Sequence, residues 1–137
     1  VLFADLAGWT QMAAAMDPED AQAVQRAYFA AVTPAMEQHG GSVEKYIGDA
    51  VLAVFGVPEG HEDDPERAVR AALAMQEAMD DLNRRLGDAG GETPPLRLRI
   101  GVHTGLVVSR VGEDGDFVVT GAVGLSLGAD WGYRQSC

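Results

Sequence analysis

Apolar side chains recur along this chain with two different periods, and the switches between those periods predict its elements. Residues 1–6, VLFADL, are a short apolar run carrying one charge, Asp5, and read as a buried strand. Gly8 breaks the run, and WTQMAAAM at 9–16 suits a short helix. Asp17-Pro18 then offers an N-cap and a first-turn proline. From there Ala21, Val24, Tyr28, Val32 and Met36 recur at helical spacing as far as Gly40-Gly41. Pro34 lies inside that span. An interior proline costs about 3 kcal/mol, so a kink or an early end is expected there.

Residues 42–56 hold two β-prone runs joined by Gly48-Asp49, the pattern of a tight hairpin. After GVPEGHED, Asp64-Pro65 repeats the cap-plus-proline start. Val69, Ala72, Leu73, Met75, Met79, Leu82 and Leu86 form a long apolar stripe that Gly87 should stop. GDAGGETPP is a loop. Leu96, Leu98, Ile100 and Val102 alternate with Arg97, Arg99, Gly101 and His103, as in a half-buried strand. LVVSRV and DFVVTG, joined by GEDG, read as a second hairpin. Strand, helix, hairpin, helix, strand, hairpin is an α+β order. One sheet covered by helices, in the split β-α-β arrangement of the ferredoxin-like kind, fits it best.

Composition narrows the partners. At 137 residues there is room for one compact domain, and 47% apolar with 23% charged residues argues against disorder. The formal net charge is −11, so general binding to nucleic acid or anionic membranes is disfavoured. A polyanionic ligand would need cations or a local cluster of donors to overcome that field. Cys137 is the single cysteine, which excludes an intrachain disulfide and fits a reducing, cytoplasmic setting. No apolar stretch approaches the ~20 residues of a membrane helix, and no signal peptide is visible. Because it opens at Val1 inside an apolar run, the chain is expected to be a fragment of a longer polypeptide.

A carboxylate within a buried strand is costly unless it is paired or bound to a cation, and Asp5 holds that position. Asp49 sits at the tip of a hairpin able to pair beside the first strand. Two such carboxylates with backbone carbonyls suit Mg²⁺. The AGWT turn after Asp5 opens a helix whose free N–H groups favour phosphate. On spacing alone two readings stay open: a metal and phosphate site, or a helix-capping Asp5 beside a turn-satisfying Asp49. His39, His61 and His103 have no ligand-like spacing.

FADLAGWT at 3–10 resembles the F-x-D-[LIV]-x-G-[FW]-T signature of class III nucleotidyl cyclases, the adenylate and guanylate cyclase family. VEKYIGDAVLAVFG at 43–56 is similar to that family's second block, and LRLRIGVHTGLVV at 96–108 to its third. The resemblance runs from residue 1 to about 121, in order and in spacing, and marks 1–121 as an incomplete cyclase-like domain. It implies that Asp5 and Asp49, with the Leu6 carbonyl, hold two Mg²⁺ or Mn²⁺ ions. It also implies a substrate-binding set of Gly8, Trp9, Thr10, Lys45 and Gly48, the first three through amides on the β- and γ-phosphates. Lys45 matches the lysine that reads the base in adenylate cyclases: an ammonium donates to adenine N1, whereas guanine presents an N1–H. ATP is thus the implied substrate. The implied partner is a second copy or a second cyclase domain, because the family's active site lies between two such domains.

The pattern breaks near the end. After VTG the family continues with D-A-V-N-x-x-x-R, whose asparagine orients the ribose and whose arginine stabilises the transition state. Here Gly124 and Gly128 fall at those positions, and Arg134 is out of register, so no catalytic residue is assigned. Val118 stands where a second base-reading Asp or Thr is usual. Residues 122–137 read as a divergent tail, with truncation or a frame change near Gly121 the expected origin. An adenylate cyclase catalytic domain or fragment is the first expectation. A catalytically impaired regulatory or nucleotide-binding domain is the alternative, and a guanylate cyclase is disfavoured by Lys45.

Overall fold

The computed structural model describes residues 1–57, 59–90, 94–105, 108–111 and 117–120. In chain order they form β1 (Leu2–Leu6), α1 (Trp9–Ala14), α2 (Pro18–Glu37), β2 (Gly41–Ile47), β3 (Ala50–Phe55), α3 (Asp64–Asp88), β4 (Leu98–Val102), β5 (Val108–Val111) and β6 (Phe117–Thr120). The first four strands make one sheet in the order β2-β3-β1-β4, with every neighbouring pair antiparallel. The crossover from β1 through α2 to β2 leaves a gap of one strand, and β3 fills it. This is the split β-α-β core expected from the order of elements. The second hairpin also forms, with β5 and β6 pairing in a separate two-stranded sheet.

The core lies between that sheet and the α2/α3 layer. Leu2, Ala4 and Leu6 of β1 and Val51 and Ala53 of β3 meet Val24, Tyr28, Val32 and Met36 of α2 and Ala71, Met75, Met79 and Leu82 of α3. Each large side chain removed from water here contributes about 1.5–3 kcal/mol. All five residues of β1 are buried. The central strand is therefore the one whose register matters most, and it carries Asp5.

Three local expectations shift. Helix α2 does not stop at Pro34 but runs on to Glu37. The last turn is held by Met36, fully buried in the core, which offsets the N–H that proline lacks. Helix α3 is capped at Asp63, one residue before the predicted cap, and continues past Gly87 to Asp88. Its buried face is Ala68, Ala71, Met75, Met79 and Leu82, while Val69 and Leu73 are exposed. Met75, Met79 and Leu82 of the predicted stripe are buried and Ala72 and Leu86 pack beside them, while Ala68 and Ala71 replace Val69 and Leu73 at its start.

Helix α3 also sets the position of β4. The Asn83 side-chain amide donates to the Leu96 carbonyl at 2.9 Å and its oxygen accepts from the Leu96 N–H at 2.8 Å, imitating a strand pair. Gln76 Nε2 donates to the Leu98 carbonyl at 3.0 Å. These bonds fix the entry to β4 and hence the placement of Arg99. Asn83→Ala should cost about 1–3 kcal/mol in urea unfolding, since two partly buried bonds are lost. Arg70→Ala, which removes only an exposed ion pair with Glu66, should change stability by less than about 0.5 kcal/mol.

Candidate active site

Along β1 alternate side chains face opposite sides of the sheet. Leu2, Ala4 and Leu6 enter the core beneath the helices, which leaves Phe3 and Asp5 on the other face. Asp5 lies directly across from Arg99 in the β1–β4 register. The guanidinium forks onto it, Nε to Oδ1 and an Nη to Oδ2, both at 2.8 Å. Asp5 is 2% exposed, whereas the Arg99 side chain is 61% exposed. A buried carboxylate is thus neutralised by a cation whose head still reaches water, the geometry in which paired N–H donors match carboxylate best.

Asp49 arrives from the other neighbour of β1. Gly48 turns the β2–β3 hairpin with φ +59°, a left-handed conformation that side chains resist. Gln25 of α2 donates its side-chain amide to the Gly48 carbonyl, holding the turn against the helix. Asp49 Oδ2 accepts the Leu6 N–H at 2.9 Å, so the hairpin tip is clamped to the end of β1. The two carboxylates are thereby held beside consecutive residues of one strand, Asp5 and Leu6. Burial pushes the Asp49 carboxyl above the usual carboxylate range; the Leu6 N–H draws it down, the charge on Asp5 adds to the rise, and Arg99 opposes it. One arginine thus faces two buried acids. The arrangement has room for a further positive charge.

Beyond Asp5 the ladder extends one more step, with the Ala7 N–H bonded to the Arg97 carbonyl at 2.8 Å. Gly8 then takes φ +70° and begins α1 without a side-chain cap. No acidic side chain occupies the first turn of α1, so nothing of its own repels an anion from the Gly8, Trp9 and Thr10 amides. An open groove of about 950 Å³ runs along α1 and the start of α2, reaching Gly8, Gln11, Met12, Asp17 and Asp20. Neither Asp5 nor Asp49 lines it. The buried carboxylates, being the costly feature, mark the site better than this groove does.

The structure therefore brings together Asp5, Leu6, Gly8, Gly48 and Asp49. It does not bring Lys45 to them: Lys45 is on β2, and β3 lies between that strand and β1. Its side chain is 54% exposed and its ammonium stands 3.9 Å from Glu44 Oε2, just after a bulge in the β2–β3 ladder. Trp9 and Thr10 open α1 one residue past Gly8. Among the described residues no cluster of three or more His, Cys, Asp or Glu could hold a metal ion. The side chain of Val118, the positions Gly124, Gly128 and Arg134, and the 122–137 tail lie outside the described residues. Arg99 escaped the sequence reading, where it was one polar member of an alternating strand. The signal available was its parity: it shares a face with the one charged residue of β1. Gln25 left no such signal.

Comparison with known proteins identifies the family and the fold. Residues 1–116 match the family model described as adenylate and guanylate cyclase catalytic domain. An adenylate cyclase of Anabaena cylindrica is 37% identical over 110 residues, covering 79% of this chain and 21% of that protein. Adenylate cyclase 1 of Rhizobium meliloti is 31% identical over 107 residues, 78% of this chain and 16% of that one. The chain thus spans about a fifth of the length of these relatives. Among solved structures, the guanylyl cyclase Cya2 is 33% identical with a TM-score of 0.79, covering 90% of this chain and 64% of that one. The adenylyl cyclase CyaB from P. aeruginosa is 30% identical with a TM-score of 0.77, covering 90% and 66%. With the family model matched over most of the chain and the fold shared with solved cyclases, the chain belongs to the adenylate and guanylate cyclase catalytic domain family.

Proposed function

We propose that this chain carries the cation- and phosphate-binding part of an adenylate cyclase site that converts ATP to cyclic AMP and pyrophosphate between two cyclase domains. The observation that carries this reading is the clamp of Asp49 onto Leu6 beside the buried Asp5. Similarity to adenylate cyclases and the ammonium of Lys45 favour ATP over GTP, although a guanylyl cyclase is among the similar structures.

The donors fit a hard divalent cation. They are all oxygens: two carboxylates, one lacking a full counter-charge, with the Leu6 carbonyl beside them. Without a third acidic or imidazole ligand among the described residues, waters and phosphate oxygens would complete the shell. Mg²⁺ is commonly bound in this way. When bound, such ions activate the ribose 3′-hydroxyl and neutralise charge on the triphosphate and its leaving group. Asp5 and Asp49 would hold them. The guanidinium of Arg99, released from Asp5, would offer its fork of donors to phosphate oxygens. The Gly8, Trp9 and Thr10 amides would receive the outer phosphates. Lys45 would read the adenine held by the facing copy, since its own carboxylate pair is one strand removed. In the reaction the 3′ oxygen bonds to the α-phosphorus as the bond to the β-phosphate breaks. Pyrophosphate leaves, and the hydroxyl proton passes to solvent.

A second reading, a nucleotide-binding regulatory domain, is favoured by Gly124 and Gly128 standing where the family's asparagine and arginine belong. Losing one such electrostatic stabiliser costs about 10²–10³ in rate. Calorimetry with ATP and Mg²⁺ beside a product assay separates the two: binding with turnover supports the cyclase, binding without it the regulator.

Joined to a C-terminal segment that carries the family's asparagine and arginine and offered ATP and GTP with Mn²⁺, the chain should release cyclic AMP in preference to cyclic GMP. Asp5→Ala should abolish product, and Lys45→Glu should cut ATP use by about tenfold or more, the scale of a lost charged hydrogen bond. Cyclic AMP formation unaffected by Asp5→Ala would refute the reading.

The raised Asp49 carboxyl has a stability consequence whose sign is fixed. Its folded pKa lies above the unfolded value, so the native state binds more protons across that interval and stability falls as pH rises through it. Without divalent ions, Asp49→Asn should therefore melt above the wild type at pH 7, and the difference should close as pH drops through the unfolded carboxylate value of about 3.9. Mg²⁺ at a hundred times its Kd should raise wild-type stability by about 2.7 kcal/mol and leave Asp49→Asn nearly unchanged. Equal melting responses of the two proteins to Mg²⁺ would count against Asp49 as a ligand.

A further inference from the structure

Tyr28 sits midway along α2 and is completely buried, yet its hydroxyl has no hydrogen-bond partner among the described residues. Buried hydroxyls rarely remain unpaired, and those that do call for a functional explanation. Three residues near Tyr28 on α2 hold the hairpin that delivers Asp49. Gln25, one turn earlier, bonds the Gly48 carbonyl. Phe29 packs edge-on against Tyr46 with ring centroids 4.7 Å apart, and Thr33 Oγ1 meets the Tyr46 hydroxyl at 3.1 Å. Tyr28 flanks this line of contacts, on the face of α2 that enters the core.

One turn before Tyr28 on α2, Gln25 bonds the carbonyl of Gly48, the residue next to Asp49, so the unpaired hydroxyl lies on the helix that holds this hairpin tip. Burial is the first cause holding the phenol protonated, and the charges of Asp49 and then Asp5 come next. Tyr28 is therefore a neutral O–H donor in the field of both carboxylates. Asp49 Oδ2 is already taken by the Leu6 N–H. A carboxylate has acceptor capacity for a further donor.

We propose that Tyr28 is a positioning residue for the cation site, its hydroxyl donating to the Asp49 carboxylate once a divalent ion draws that carboxylate into place. This rests on the cation reading of Asp5 and Asp49 given above. A ligand held from behind by a second donor keeps its orientation, and losing such a donor typically weakens metal binding 10–100-fold. Gln25 and Tyr28 would then divide the work: one fixes the turn, the other the carboxylate it presents.

Mn²⁺ binding to the full 137-residue chain, followed by the loss of the free-ion paramagnetic resonance signal, tests this directly. Tyr28→Phe should weaken Mn²⁺ binding at least tenfold, while its melting temperature without divalent ions stays at or above the wild-type value. In an Asp49→Asn background, Tyr28→Phe should have no further effect on Mn²⁺. Val32→Ala, a core substitution one turn along α2, should lower the melting temperature and leave Mn²⁺ affinity unchanged. Equal Mn²⁺ affinity in the wild type and Tyr28→Phe would overturn the proposal. So would an equal loss in Val32→Ala, which would mean that packing alone is responsible. A wild-type chain that takes up no Mn²⁺ would overturn the cation reading itself, and the role of Tyr28 with it.

Discussion

Two carboxylates buried beside consecutive residues of the central strand must be neutralised, and much of this molecule is arranged around that requirement. Asp5 meets Arg99 across the β1–β4 register, and Asp49 is clamped by the Leu6 N–H across from β3. The sheet order makes this possible, because β1 lies between the strand that brings the arginine and the hairpin that brings the second acid. One guanidinium cannot fully balance two acids. The fold therefore stores a local excess of negative charge where a hard cation and a triphosphate could offset one another. The overall acidity of the chain makes that cation still more necessary for binding a polyanion.

The helices serve the same end from behind the sheet. Helix α3 fixes the path into β4 through Asn83 and Gln76, and so places Arg99. Helix α2 fixes the hairpin through Gln25 and its aromatic contacts, and so places Asp49. Lys45 belongs to a different surface, on β2 with β3 between it and the acids. The proposed division of the site between two copies rests on that separation. Each copy would contribute an acid pair to one nucleotide and a lysine to the other.

Much of this was legible in the sequence, and the exceptions have physical causes. Strand β1, the β2–β3 hairpin and β4 were readable because alternation and a Gly-Asp turn leave few alternatives. The acid pair was readable because a charge within an apolar run is costly enough to need a reason. On α3, Met75, Met79 and Leu82 were legible, but Val69 and Leu73 are exposed and Ala68 and Ala71 take their place, because alanines carry little hydrophobic signal. Pro34 was expected to kink or end α2, and the helix continues because Met36 anchors its final turn. Arg99 and Gln25 could not be found by local pattern. Their importance comes from partners 94 and 23 residues away, a relation that only the register of the sheet and the helix packing create.

In the proposed site Asp5 and Asp49 take a cation in place of the Arg99 fork. Anomalous scattering from crystals grown with Mn²⁺ and a non-hydrolysable ATP analogue decides whether they do. An Mn²⁺ peak beside the Asp5 and Asp49 carboxylates, with the Arg99 guanidinium withdrawn from Asp5 toward phosphate, is expected. An Arg99–Asp5 fork left intact, with Mn²⁺ bound elsewhere or only to the nucleotide, would refute the proposed site.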